Sequence, residues 1–127
     1  MSTWSRADQE RERIKRLRGW ILNFLYKARP RPVELVVLIR LLDRVNYPVS
    51  RTTLAEELDY LRGLNLLRIF PMESSKEHDD VEQAKLIQKY VLCDSDEEMG
   101  LVLSARISAA GVNFCEGQDI TGVDRVE

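Results

Sequence analysis

The sequence predicts a mainly α, α+β domain: a three-helix core, a small antiparallel β hairpin and one additional C-terminal helix. Three observations carry that prediction. Apolar residues recur at helical spacing in three successive segments before residue 64. Beyond it the pattern changes to short apolar runs, at 66–70, 86–93 and 101–108, that read as strands. Prolines, asparagines and glycines punctuate the chain between these segments.

The first helix is expected over residues 5–28. Ile14, Leu17, Ile21, Phe24, Leu25 and Ala28 form one apolar stripe. The residues before Ile14 are nearly all charged, so residues 1–17 read as a charged helical extension. Trp20, Leu22 and Tyr26 lie off the stripe, and this surplus of apolar surface predicts that the helix also faces a second subunit. Arg29-Pro30-Arg31-Pro32 ends it. Residues 33–45 then read as a second helix, apolar almost all round, with Glu34, Arg40, Asp43 and Arg44 as its wet edge. Asn46-Tyr47-Pro48 is the turn that follows.

The third helix opens with Ser50, Thr52 and Thr53 as candidate caps, and Thr53 to Glu56 has capping-box spacing. Leu54, Leu58 and Leu61 form its core stripe, and Gly63 is the expected exit. Leu66 to Phe70 reads as a strand stopped by Pro71. Residues 72–83 are acidic and without period, hence an exposed loop or a weak helix. The runs 86–93 and 101–108, on either side of DSDEEMG, predict a hairpin spanning about 86–108 with an acidic tip. ISAAGVNFCEG reads as a short last helix, which closes the folded domain at 18–116, and residues 117–127 as an extended tail.

A chain of 127 residues, 44% apolar and 31% charged, suits one soluble globular domain. No run of apolar residues is long enough to span a bilayer. The N-terminus lacks the apolar core of a signal peptide, so the expected location is cytoplasmic. The net charge of −2 hides a segregation: residues 1–68 carry +6 and residues 69–127 carry −8. A basic half suits a phosphate-binding surface, whereas the acidic half opposes indiscriminate polyanion binding.

Little in the chain suggests catalysis. Cys93 and Cys115 have no histidine nearby and read as two reduced, half-buried thiols. His78, the single histidine, lies in an acidic run and reads as a loop residue. The carboxylates Asp79-Asp80 and Asp94/Asp96/Glu97/Glu98 fall on expected loop tips, where nothing separates their acidities for acid–base work. Asp94-x-Asp96 followed by Gly100 faintly suggests a calcium loop. Met99 stands where that loop needs glycine, and Ala105 where it needs glutamate. No phosphate-cradling glycine loop is present. The expectation is a non-enzyme with no cofactor, no metal and no small-molecule substrate.

Three stretches carry a resemblance: RGWILNFLYKARP, PVSRTTLAEELDYLRGLNLLRI, and ARISAAGVNFCEG followed by GVDR. In these the chain resembles winged helix-turn-helix domains, and more narrowly the small winged-helix proteins of Mu-like phages and prophages. The likeness covers roughly residues 18–70 and 101–125. It implies a winged-helix fold and a DNA-binding regulatory or accessory role on double-stranded DNA. A homodimer through the N-terminal helix would pair half-sites.

On that reading Arg51, Thr52 and Thr53 lead the DNA-reading helix, and Tyr60 and Arg62 lie further along it. Arg40 and Arg44, or Arg29 and Arg31, would neutralise phosphates. Opposing this, Glu56, Glu57 and Asp59 put three carboxylates on the same helix, and the hairpin tip is acidic. The alternative is therefore a winged helix used as a protein–protein interaction module that does not bind DNA.

Overall fold

The computed structural model describes residues 5–71, 79–92 and 103–126. Among the described residues five helices and three short strands follow in the order α1 (Arg6–Ala28), β1 (Val33–Glu34), α2 (Leu35–Arg44), α3 (Arg51–Gly63), β2 (Leu67–Pro71), α4 (Asp80–Leu92), β3 (Leu103–Ile107) and α5 (Ala109–Cys115). The protein is thus α+β and mainly helical, with one small antiparallel sheet of strand order β1-β3-β2.

Local chemistry sets the helix ends. Ser5 caps α1 in a capping box, its hydroxyl accepting from Asp8 N at 3.1 Å while the Asp8 carboxylate accepts from Ser5 N at 3.3 Å. Those hydrogen bonds hold the Asp8 carboxyl below its ordinary range. Helix α1 stops at Arg29, whose extended backbone is what a following proline demands. In α3 the cap is Ser50, accepting from Thr53 N at 3.1 Å, so the Thr53–Glu56 spacing is not the one used.

Both α2 and α3 leave by the same device. Tyr47 N donates to Leu42 O and Asn46 N to Asp43 O, with Asn46 left-handed at φ 65°. Leu66 N donates to Leu61 O and Asn65 N to Arg62 O, with Asn65 at φ 61°. These are Schellman turns in which asparagine tolerates the positive φ. Helix α3 ends at Gly63, the expected exit, and the left-handed residue of the turn that follows is Asn65.

The main correction concerns the hairpin. Residues 86–92 are not a strand: they belong to α4, which starts at Asp80 and takes in the end of the 72–83 segment, expected as a loop or a weak helix. No hairpin at 86–108 forms among the described residues. Instead β3 pairs with β2 over the register Leu67↔Ile107 to Pro71↔Leu103, and with β1 at Val33↔Ala105 and Glu34↔Ser104. Residues 72–78 and 93–102, which include His78, Cys93, the acidic tip and the supposed calcium loop, lie outside the described residues.

The helical outcome at 80–92 has a physical cause in the open edge of β2. Gln83 is completely buried, and its Oε1 accepts from Ile69 N at 2.8 Å, an edge amide that the sheet leaves unpaired. Ile87, one turn on, is buried on the same side. Gln83→Leu should cost about 1–3 kcal/mol, the penalty for a buried donor left without a partner. Urea denaturation measures it, and unchanged stability would remove Gln83 as the reason this segment is helical.

The second helix is also shorter than expected, because Val33 and Glu34 join the sheet. A β-branched residue beside Pro32 favours extended backbone, and the amides of β3 supply partners. Leu35, Leu38 and Leu42 of α2, Leu54, Leu58 and Leu61 of α3, and Leu17, Ile21 and Leu25 of α1 meet in one core closed by Leu67, Ile69, Leu103 and Ala105.

The apolar surplus of α1 is used within the chain. Leu22 is fully buried, and Trp20 and Tyr26 are half-buried against the same core. Cys115 of α5 donates to Leu22 O at 3.8 Å, and Tyr26 Oη donates to Glu116 at 3.1 Å. Beyond α5 the chain returns along α1 as a strap over residues 117–126. Val123 is buried, Asp124 N donates to Lys15 O at 3.1 Å, and Asn23 Nδ2 donates to Val126 O at 2.8 Å. The strap lies so close that a Cβ on Gly19 would stand 1.7 Å from Asp124 O. Of the three off-stripe residues only Leu22 is fully buried, and Trp20 and Tyr26 keep part of their surface exposed.

Candidate nucleic-acid interface

Helix α3 presents a narrow face to solvent. Leu54, Ala55, Leu58 and Leu61 are in the core, and α4 packs along one flank. On the other flank Arg18 of α1 joins three parts of the protein. Its Nε donates to Glu57 Oε2 at 2.5 Å, its Nη1 donates to Gly122 O at 3.0 Å, and its guanidinium lies 3.7 Å from the centre of the Tyr60 ring. Glu57 is only 8% exposed, so this carboxylate is an internal partner rather than a surface charge. What remains exposed is Thr52, Glu56, Asp59 and Gly63, a stripe at helical spacing with two carboxylates, and beside it Tyr60, 37% exposed.

The expected reading residues separate accordingly. Thr52 is exposed at the first turn, Arg51 beside it is half-buried, and Thr53 accepts from the Ser50 hydroxyl at 3.1 Å. Tyr60 is turned to Arg18 and the strap, its hydroxyl beside Gly122. Arg62 donates twice to Asp59 Oδ1, at 2.8 and 3.1 Å. The structure gathers Arg51, Thr52 and Thr53 at the start of α3, but sets Tyr60 and Arg62 into contacts with the chain itself.

Arg40 and Arg44 stand exposed one turn apart on the outer edge of α2. Beyond the end of that helix the α2–α3 turn carries a cluster that sequence reasoning missed. The Arg13 guanidinium lies 4.9 Å from the centre of the Tyr47 ring, and Arg16 Nε donates to Tyr47 Oη at 3.0 Å. Two cations of α1 are thus held against the turn that leads into α3. None of Arg13, Arg16, Arg40 and Arg44 makes an ion pair among the described residues, unlike Lys15, Arg18 and Arg62. The three-residue spacing of Arg13 and Arg16 was legible as one helix face. Tyr47 as their common partner, 31 residues from Arg16, was not.

Other chemistry is sparse. Among the described residues no group of three or more His, Cys, Asp or Glu side chains could hold a metal ion. No described helix is long and apolar enough to cross a membrane. Partial burial first, and then Arg29 and Glu116 in opposite senses, act on the Cys115 thiol, and the balance raises it above its ordinary range. It is therefore a protonated side chain at neutral pH rather than a nucleophile. Compared with known proteins, the chain matches no family model, no curated protein and no solved structure.

Proposed function

We propose that the chain is a winged-helix protein that docks on double-stranded DNA mainly through phosphate contacts, as a regulatory or accessory factor of the kind its phage-like motifs imply. The strand order β1-β3-β2 around the α2–α3 pair supports the fold, with α4 inserted between β2 and β3 where a wing hairpin would stand. The observation that carries the functional reading is four exposed arginines of α1 and α2: Arg13 and Arg16 held on Tyr47, and Arg40 and Arg44 one turn apart on α2.

A helix-turn-helix unit lays its first helix across the backbone and points the start of its second into the major groove. Here the arginines lie on the parts that would meet phosphates. The start of α3 offers Ser50, Arg51 and Thr52, and its first amides favour an anion. Further along, Glu56 and Asp59 would face phosphates and oppose deep insertion. Binding dominated by the backbone, with few base contacts, is the expected consequence.

The test is binding to random-sequence duplex DNA as a function of salt. The logarithm of the affinity should fall linearly with the logarithm of salt concentration, with a slope of about −0.9 for each phosphate contacted. Arg16→Ala and Arg44→Ala should each reduce that slope by about 1. Absence of binding even at low salt would end the proposal. A second reading, a protein-interaction module, draws support from the acidic stripe Thr52–Glu56–Asp59. It would be favoured by that negative result together with capture of a partner that Glu56→Lys abolishes.

A further inference from the structure

From Arg13 to Val33 the chain contains seven Lys or Arg and no Asp or Glu. Within that stretch α1 places Arg13, Arg16, Trp20, Phe24 and Lys27 on one face, because steps of three and four residues return to the same side of a helix. At 1.5 Å per residue the stripe is roughly 21 Å long. The strap does not run over it: its contacts fall on Lys15, Gly19 and Asn23, the neighbouring face of α1.

The stripe has cations at both ends and aromatic rings between them. Arg13, Arg16 and Lys27 are exposed, and none makes an ion pair among the described residues. The Trp20 and Phe24 rings stack at 5.5 Å between centroids and 28° between planes. Both rest on the core and both keep part of their surface in solvent. Glu10 and Glu56 share a cleft with Arg13 and bound the stripe at that end.

On the phosphate-binding reading of Arg13 and Arg16, we infer that this stripe takes single-stranded nucleic acid. Arg13, Arg16 and Lys27 meet successive phosphates, and bases stack against Trp20 and Phe24. Cations that track a backbone beside rings that accept base faces are the two parts such recognition needs. A duplex keeps its base faces inside the stack, so the aromatic pair finds no partner there. Duplex docking also brings the carboxylates of α3, Glu56 and Asp59, towards the groove, whereas a single strand needs no insertion of α3.

Two other occupants fit less well. A second copy packed on this stripe about a twofold axis would set arginines and lysines against their own kind. A bilayer surface rewards a broad apolar face, and here the apolar part is two side chains already resting on the core.

The experiment uses the full chain with Trp4→Phe, which leaves Trp20 as the sole tryptophan. A short oligothymidylate should quench Trp20 emission saturably at low salt, and should bind more tightly than random duplex of equal length. An abasic strand of that length should bind about tenfold more weakly or worse, without quenching. Lys27→Glu, an exposed change, should weaken the single strand while thermal unfolding stays the same. Oligouridylate in parallel tells DNA from RNA, and the tighter of the two polymers identifies the sugar. If duplex binds as tightly as the single strand and Trp20 emission does not change, the inference is overturned and the duplex reading stands. If neither polymer binds, both fall. Anionic phosphatidylglycerol vesicles that shift Trp20 emission where oligothymidylate does not would also overturn it, in favour of a membrane surface.

Discussion

Arg18→Leu should destabilise the protein by about 3–5 kcal/mol, the cost of removing one partner from a buried ion pair and leaving the other charge behind. The guanidinium is 17% exposed and the Glu57 carboxylate 10%, so water cannot take over the abandoned charge. The mutation also removes the donor to Gly122 O and the cation stacked on Tyr60, which loosens the strap and α3 together. The double variant Arg18→Leu/Glu57→Leu should regain most of the loss, because a buried pair replaced by apolar side chains is often neutral. It should remain below the unaltered chain by about 1 kcal/mol, the worth of the lost bond to Gly122. Urea denaturation of the four proteins forms a double-mutant cycle. A single-variant loss under 1 kcal/mol would show that the pair is solvated and that α3 is held by its leucines alone.

The second large effect is expected at Gly19. On an exposed helix Gly→Ala gains about 1 kcal/mol in helix propensity. Here the added methyl would stand 1.7 Å from Asp124 O, a backbone atom that cannot swing aside as a side chain can. The strap must lift, and Val123 leaves the core at about 1.5–3 kcal/mol. The bonds Asp124 N to Lys15 O and Asn23 to Val126 O, about 1 kcal/mol each, are lost with it. Gly19→Ala should therefore destabilise by roughly 2–4 kcal/mol after the propensity gain is subtracted. It should also make the Arg125–Val126 bond sensitive to trypsin in an otherwise folded protein. A variant that melts at or above the unaltered temperature would show that the strap does not rest on α1.

Both effects arise from contacts that no local pattern reveals. Arg18 is 39 residues from Glu57 and 104 from Gly122. Neither partner carries a spacing signal, and Arg18 in sequence is one more cation in a basic helix. The same holds for Tyr60: its position on α3, off the leucine stripe, predicted a residue facing DNA, whereas Arg18 stacks on its ring and Gly122 lies beside its hydroxyl, with 37% of the residue still exposed. Surface charges counted along a sequence overstate what a face can offer, because some of them are already engaged across the fold.

Helix α4 illustrates the opposite limit. The run from Leu86 to Cys93 has the length and apolar content of a strand, and short apolar runs are ambiguous between the two periods. Neighbours decided it. An unpaired amide at Ile69 and the flank of α3 reward a helix that brings Gln83 and Ile87 to the same side. The strand partner for β2 came instead from 103–107, where Leu103, Ala105 and Ile107 are buried.

By itself the sequence determined the extents of α1, α3 and α5, because hydroxyl caps, leucine spacing and a helix-ending proline act over a few residues. It also determined that the basic charge lies in the first half of the chain. The tertiary structure alone decided that 80–92 is helical, that Val33 and Glu34 leave α2 for the sheet, and that the strap packs along α1. It alone decided which arginines are engaged across the fold. Short-range hydrogen bonds and side-chain periodicity are written in neighbouring residues. Burial, edge pairing and ion pairing depend on what arrives from elsewhere in the chain, and they determine the face that this protein presents.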